Sequence, residues 1–381
     1  MAVGFLAWEL MILRERVRQM ERRVERRVLR DAQNPFDLPR NEFMNIFRIS
    51  PDLALEITNL IRPDLIRQRS TGISPEIQTL IAVQFYAHGS YQRPTGDQFN
   101  FNVSQPTVSR CLHAVTASIN QRLLRRWVQF PMTREERQAA RAKFANAPQP
   151  FEGTIGAIDC TFVNILGPSE HEEAFVNHHG NHSLNVQAIV DTDMKILNIN
   201  ARWPGARNDA YIWSTSPIRR AMQFHYDRGE RRTWLIGDAG YPLEPWLMTP
   251  LPHYPEGTRQ FEYTRDLCKA RNVVERFFGC FKGMWRCLSY QRVLMYDPTF
   301  AGHIVNACAV LHNMRLYHRL PAADYYDAVD DGVNNNNVQI RDNDQGDENI
   351  RQGPRALAQR IQSQLMRERY EHLPDGNANA N

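Results

Sequence analysis

The spacing of apolar positions changes character along the chain. Between residues 5 and 30, Leu10, Leu13, Val17, Met20 and Val24 alternate at intervals of three and four, with eight arginines between and beyond them. That pattern predicts one long helix. It reads as a short coiled coil, as a helix packed on the next domain, or as a basic arm that touches DNA. The prolines of NPFDLPR end it. From Asn41 to about Leu124 the period stays helical. Asn41-Glu42-Phe43 opens one amphipathic helix, and Ser50-Pro51 and Ser74-Pro75 each open another with a polar cap followed by proline at the first helical position.

After a short stretch containing Gly96 comes FNVSQPTVSRCLHAVTASINQRLL. Ser104 is the expected N-cap there. Gln105, Thr107 and Arg110 face outward in the first turns, and Val108, Leu112, Val115 and Ile119 turn inward. A polar, small-residue start on the last helix of a cluster suits a helix that reads base edges, so a helix-turn-helix is one reading of residues 40–145. A plain helical bundle is the other.

A proline-containing linker, ANAPQPFEGTI at 145–155, leads into a different period. GTIGAIDCTFVNI, SLNVQAIVDT, KILNINARW and TWLIGDAG read as strands, with a hairpin-length break at Asp191-Thr192-Asp193. Helices are expected at about 208–224, 268–288 and 298–320. Beyond Tyr325 the chain turns to Asn, Asp and Gly, too polar to order itself, before a short helix near 354–370.

Charge adds to this layout. The net value is only +4, but residues 61–150 carry twelve Arg/Lys against five Asp/Glu, a balance of +7. Residues 324–348 carry eight acids against one Arg, a balance of −7. A basic surface for a polyanion and an acidic, solvated tail follow. Six scattered cysteines without a CxxC pair argue against a disulfide framework or a structural zinc site. No apolar run approaches a membrane span, and Glu9 interrupts the patch near the start, so the expectation is a soluble, intracellular protein.

Three acids then stand out by placement. Asp159 follows the run GTIGAI, Asp238 follows WLIG, and Glu275 lies on the helix RNVVERFFGCFKG. A carboxylate inside or at the end of a hydrophobic strand is expensive unless paired or metal-bound. On the helix, Val274, Phe277, Phe278, Phe281, Trp285 and Leu288 make the buried stripe, and Arg271, Gly279, Lys282 and Arg286 share the other face with Glu275. That face suits a metal-binding carboxylate among phosphate-contacting cations, with Gly279 leaving room for a backbone. A solvated salt-bridge face would look similar. Strand-end acids that merely cap a turn are the alternative for Asp159 and Asp238. Asp209, in WPGARNDA, is a fourth candidate, or else an acid favoured by a helix N-terminus.

The pieces AIDCTFVNI, HSLNVQAIVDTD, WPGARNDA, WLIGDAGYPLEPWLMTPL, RNVVERFFGCFKGMWRCL and ACAVLHN follow one another in an order that resembles the Asp-Asp-Glu transposase domain of the PIF/Harbinger superfamily, from about Gly153 to His312. ISPEIQTLIAVQFYAHGSYQ and SQPTVSRC resemble that family's N-terminal helical region. The resemblance implies a ribonuclease H-like α/β fold: a mixed five-stranded sheet flanked by helices over 152–320, after the helical domain. It implies catalytic roles for Asp159, Asp238 and Glu275, Asp209 as a further metal ligand, and Mg²⁺ or Mn²⁺ as cofactor. The expected activity is two-metal hydrolysis of DNA phosphodiester bonds, with Asp159 bridging both ions and Asp238 and Glu275 each helping to hold one.

A vestigial DNA-binding scaffold and a transposase with strand transfer are the competing expectations. The family also implies a Myb-like partner that supplies DNA binding and nuclear entry; a cytoplasmic share and a homo-oligomer are further expectations. One departure is local. Where the family usually carries Asn-Arg-Lys-Gly, this chain has Asn177-His178-His179-Gly180. Imidazoles there replace permanent cations. With His171 and His182 they match no standard zinc spacing.

Overall fold

The Ser50 hydroxyl accepts from the Leu53 amide at 3.2 Å and that of Ser74 from the Ile77 amide at 3.3 Å, each with proline in the next position. These expected caps open two helices of the first unit, which comprises α1 (Ala2–Asp31), α2 (Arg40–Phe47), α3 (Pro51–Leu65), α4 (Pro75–His88) and α5 (Gln105–Arg122). The structure is a computed structural model and describes residues 2–66, 72–89, 101–321 and 353–376. Its chain forms two compact units, Met1–Arg122 and Leu123–Asn381.

In the first unit α3, α4 and α5 pack against one another, and Val108, Leu112, Val115 and Ile119 of α5 are fully buried, as their spacing predicts. Gln105 and Arg110 are exposed. Thr107 is half-buried; its hydroxyl lies 3.0 Å from that of Ser104 and accepts from Arg110 at 3.1 Å. Leu10, Leu13, Val17, Met20 and Val24 along α1 are all exposed. The stretch around Gly96 and the acidic segment 324–348 lie outside the described residues.

The second unit contains α6 (Leu124–Trp127), α7 (Arg134–Ala145), β1 (Thr154–Asn164), α8 (Glu172–Phe175), β2 (Ser183–Val190), β3 (Ile196–Pro204), α9 (Asp209–Ser214), α10 (Pro217–Asp227), β4 (Trp234–Ile236), β5 (Leu247–Met248), α11 (Arg259–Met284), α12 (Pro298–Tyr317) and α13 (Pro354–Arg369). The five strands form one sheet of order β3-β2-β1-β4-β5. β1–β2 and β2–β3 are antiparallel, whereas β1–β4 and β4–β5 are parallel. β1 is therefore central, and β2 is buried along its whole length. This is the ribonuclease H-like mixed sheet that the resemblance implies.

Four differences from the sequence pattern have physical causes. The break between units falls before α7, because Arg137 on that helix is buried against Glu230 at 2.5 Å and α7 packs on β1. The helix expected at 208–224 is two, since Ser216 caps a new start at Pro217. β5 was invisible to alternation: two residues hold no period, and only hydrogen bonding to β4 defines them. The helix expected at 268–288 starts nine residues earlier, at Arg259 under the Thr258 cap, and stops at Met284. Arg286 consequently sits in a 3-10 turn, Arg286–Leu288, off the helical face assigned to it.

The last helix docks. Gln362 on α13 is buried and donates to the Thr249 carbonyl at 3.1 Å and the Tyr263 hydroxyl at 3.0 Å. Among the described residues no helix is long and apolar enough to cross a membrane.

Candidate metal centre

Asp159 lies in the middle of β1 rather than at its end, on the strand that every other strand is built around. Asp238 lies two residues beyond β4, which runs parallel to β1, so both carboxylates come from the same region of the sheet. Asp209 is the first residue of α9, where Asn208 caps the helix by accepting from the Tyr211 amide at 2.9 Å. Oxygens of Asp159, Asp209 and Asp238 all lie within 4.8 Å of one another.

Neighbours fix each of them. The Cys160 amide donates to Asp159 Oδ1 at 2.8 Å, the Gly240 amide to Asp238 Oδ1 at 3.0 Å, and the Asn185 side-chain amide to Asp209 Oδ1 at 3.2 Å. Asn185 also donates to the Arg207 carbonyl at 2.8 Å, which pins the loop that carries Asp209. Gly205 belongs to the same device. A Cβ there would lie 2.4 Å from Ser183 Oγ and 2.7 Å from the Phe175 carbonyl oxygen, so only glycine lets this loop pass. Beneath the acids, Gln187 and Cys160, which face each other across β1–β2, meet the Tyr241 hydroxyl, each at 3.3 Å. A buried carboxylate ties the two acid-bearing loops together. Glu244 accepts from the Trp213 and Trp246 indoles at 2.8 Å each and from Arg219 Nε at 2.8 Å.

The electrostatics are those of a site short of positive charge. Burial, partly offset by Arg271 and reinforced by Asp238 and Asp209, pushes the Asp159 carboxyl up to about 7. Burial and Asp238 also raise Asp209. Arg271 on α11 donates to Asp159 at 3.0 Å and pairs with Glu275 one turn along. Glu275 is half-buried and lies outside the group of three aspartates. If all four acids are ionised, one guanidinium leaves a formal charge of −3. Oxygen-only ligands with that excess fit one or two hard divalent cations.

The other predicted site residues fall differently. Arg271 reaches inward to the acids instead of presenting an open cation. Lys282 is buried, because it lies next to Phe281 and Met284 on the packed end of α11, so the free basic face expected around Glu275 ends before it. Arg286 is half-buried beyond the helix. At Gly279 the space above the backbone is open, as expected. Gln105, Thr107 and Arg110 belong to the first unit and are not part of this cluster. Sequence reasoning missed Asn185, Glu244 and Tyr241, which hold the acids in place. A polar residue inside the run SLNVQAIV was the available signal for Asn185. A cavity of about 460 Å³ lies elsewhere, lined by Arg141, Arg231, Arg232, Trp234 and Leu365 near the starts of β1 and β4, and it contains none of the four acids.

A sheet of this order, with acids from its central strand, from the loop after β4 and from helices beside it, is the ribonuclease H-like architecture of Asp-Asp-Glu enzymes. A family model described as DDE superfamily endonuclease matches residues 158–313. A Homo sapiens protein named "Putative nuclease HARBI1" is 35% identical over 264 residues, 68% of this chain and 72% of its own length. The Bos taurus protein of the same name is 32% identical over 285 residues, 74% of this chain and 79% of its own. "Protein ALP1-like" of Arabidopsis thaliana is 25% identical over 289 residues, 71% of this chain and 70% of its own. No solved structure matches. The chain belongs to the DDE superfamily endonucleases, in the Harbinger-derived family of the nuclease-named relatives.

Proposed function

We propose that the second unit is a metal-dependent endonuclease that hydrolyses DNA phosphodiester bonds through Asp159, Asp209, Asp238 and Glu275. The observation that carries this reading is the convergence of three aspartates within 4.8 Å around a half-buried strand position. Like charges so close raise one another's pKa unless a cation joins them. Two Mg²⁺ or Mn²⁺ ions, when bound, would clamp the attacking and leaving oxygens of an in-line displacement. Asp159 would serve both ions, Asp238 and Glu275 one each, and Asp209 would add a further oxygen. The amides of Cys160 and Gly240 and the side chain of Asn185 preset these oxygens. Glu275 joins them when Arg271 turns from it, and the anion suited to draw that planar fork away is a DNA phosphate.

Plasmid nicking by the purified full chain tests the reading. Mn²⁺-dependent nicking is expected, and Asp238→Ala is expected to lower it by more than about 100-fold, beyond the loss typical of groups that only orient a ligand. Equal nicking by Asp238→Ala and wild type would overturn the assignment.

A second reading, a DNA-binding protein that no longer cuts, is supported by Arg271, which pairs with both Asp159 and Glu275 while Glu275 stands outside the group of three aspartates. It predicts DNA binding without nicking, and restored nicking in Arg271→Ala. Strand transfer in place of hydrolysis would appear as joined products in the same assay.

DNA reading by Gln105, Thr107 and Arg110 belongs to the first reading through the polar start of their helix, and a Myb-like partner and a nuclear location belong to it on the strength of the family resemblance. Cytoplasmic retention when the partner is co-expressed would count against the nuclear location. A homo-oligomer is supported by the exposed stripe on α1. Light scattering of the full chain is expected to show a dimer, and Val17→Glu with Met20→Glu a monomer.

A further inference from the structure

Two ring clusters lie on the sheet near Asn185, the residue that holds Asp209; in each a half-buried ring, Trp203 or Phe162, meets exposed ones, and neither cluster belongs to the carboxylate group. At the end of β3, Trp203 meets Tyr211 edge-on with ring centroids 5.3 Å apart. The Arg207 guanidinium lies over the Tyr211 ring at 4.6 Å, and that of Arg202 lies 5.1 Å from the Trp203 ring. Tyr211 is 39% exposed, and Arg202 and Arg207 are both exposed. Neither arginine makes an ion pair among the described residues. On β1, Phe162 packs edge-on to His178 at 5.2 Å and to His179 at 6.2 Å, and both imidazoles are exposed. Asn177 holds their loop by accepting from the His179 and Asn181 amides at 2.9 and 3.1 Å and donating to Ser183 at 2.9 Å.

The sheet register joins the two clusters. Phe162 faces Asn185 across β1–β2, and Asn185 faces Trp203 across β2–β3. Directly opposed residues share a face, so Phe162, Asn185 and Trp203 form one row with ring clusters at its ends. Two strand spacings put those ends roughly 10 Å apart. Asn185, in the middle, is buried, and its amide holds Asp209.

We propose that the two clusters at the ends of this row seat unpaired DNA: bases stack on the exposed rings of Trp203–Tyr211 and Phe162–His178–His179, with Arg207 on the adjacent phosphate. The substrate of the site is then a strand with unstacked nucleotides beside the scissile phosphate, not an intact duplex. The exposed rings of Tyr211, His178 and His179, with Arg202 and Arg207 free of ion pairs beside the first, match the two things an unpaired strand offers, π-faces and phosphates. In a duplex those faces are covered by neighbouring base pairs. Burial and His179 push His178 below the ordinary imidazole range, so at neutral pH it stacks as an uncharged ring. The aromatic role thereby gives the His178-His179 pair a use in place of the family's two cations.

This proposal rests on the nuclease reading, and a binding assay separates the two. The full chain in EDTA is titrated into one labelled sequence as single strand, as blunt duplex, and as duplex with a central unpaired stretch containing 2-aminopurine. Wild type is expected to bind both unpaired forms about 10-fold more tightly than the duplex and to quench the 2-aminopurine. Tyr211→Ala, and His178→Ala with His179→Ala, are each expected to weaken unpaired binding about 5-fold or more with duplex binding little changed. An unaltered Mn²⁺-induced shift in melting temperature checks that the acids stay in place. Equal wild-type affinity for duplex and unpaired forms, or variants that keep the preference and the quench, overturns the proposal. Absence of Mn²⁺-dependent nicking with the preference intact overturns the nuclease reading alone.

Discussion

Asp159→Asn is expected to make the metal-free protein more stable at pH 8 and to abolish its stabilisation by Mn²⁺. Burial pushes the Asp159 carboxyl up to about 7 in the folded chain, against an ordinary carboxyl value of 3.8. A folded carboxyl raised in this way contributes stability that is fully present below about pH 4 and is lost as the pH rises through 7. Asparagine keeps the shape and removes the charge. Above pH 7 the variant should therefore gain on the order of 2–4 kcal/mol over wild type, less whatever is lost when Arg271 keeps only Glu275. At pH 5 about 1–2 kcal/mol of that difference should remain, and it should vanish only below about pH 4. Mn²⁺ should reverse the order, because it stabilises only the protein whose carboxylates can bind it. Thermal melts with and without Mn²⁺ at the two pH values measure all four terms. A wild-type protein that melts at the same temperature at pH 5 and pH 8 without metal, and ignores Mn²⁺, would sink the idea of a strained carboxylate site.

The second large effect lies away from the acids themselves. Glu244 is buried and holds two indoles and the Arg219 guanidinium at once. Trp213 belongs to α9, the helix that Asp209 begins, whereas Glu244 follows the loop that carries Asp238. Glu244→Ala leaves two indole donors and one guanidinium without their acceptor, which costs about 3–5 kcal/mol when a buried pair is broken. For a unit of this size that is roughly 10 °C in melting temperature. Mn²⁺ binding measured well below the transition should also weaken, because the Asp209 and Asp238 loops lose their common anchor. Glu244→Gln keeps one oxygen acceptor and should fall between. If Glu244→Ala melts within a degree or two of wild type, the two loops are held by something other than this carboxylate.

These effects depend on features with unequal visibility in the sequence. Asp159, Asp238 and Glu275 stand out because a carboxylate inside or beside an apolar run has no cheap explanation. The caps at Ser50 and Ser74 and the inward face of α5 are local and follow from spacing alone. The stop of α11 at Met284 is different. The apolar stripe continues through Trp285 and Leu288, and both are buried, but in a 3-10 turn that helical counting cannot distinguish. Helical counting therefore puts Arg286 on a face that the fold does not provide, and it does not see the packing that buries Lys282 inside the helix.

By itself the sequence determined the kind of chemistry: acids held against hydrophobic strands, in the order of a DDE endonuclease, after a helical, basic first unit. Only the tertiary structure decided how those acids meet. Pairing of β1 with β4 brings Asp159 and Asp238 together, and Asn185 across β1–β2 sets Asp209 beside them. Arg271 meanwhile links Glu275 to Asp159. Periodicity reports which face a residue occupies, but the partners on that face come from strands and helices distant in the chain. Their contacts are set by register and packing, which no local pattern encodes.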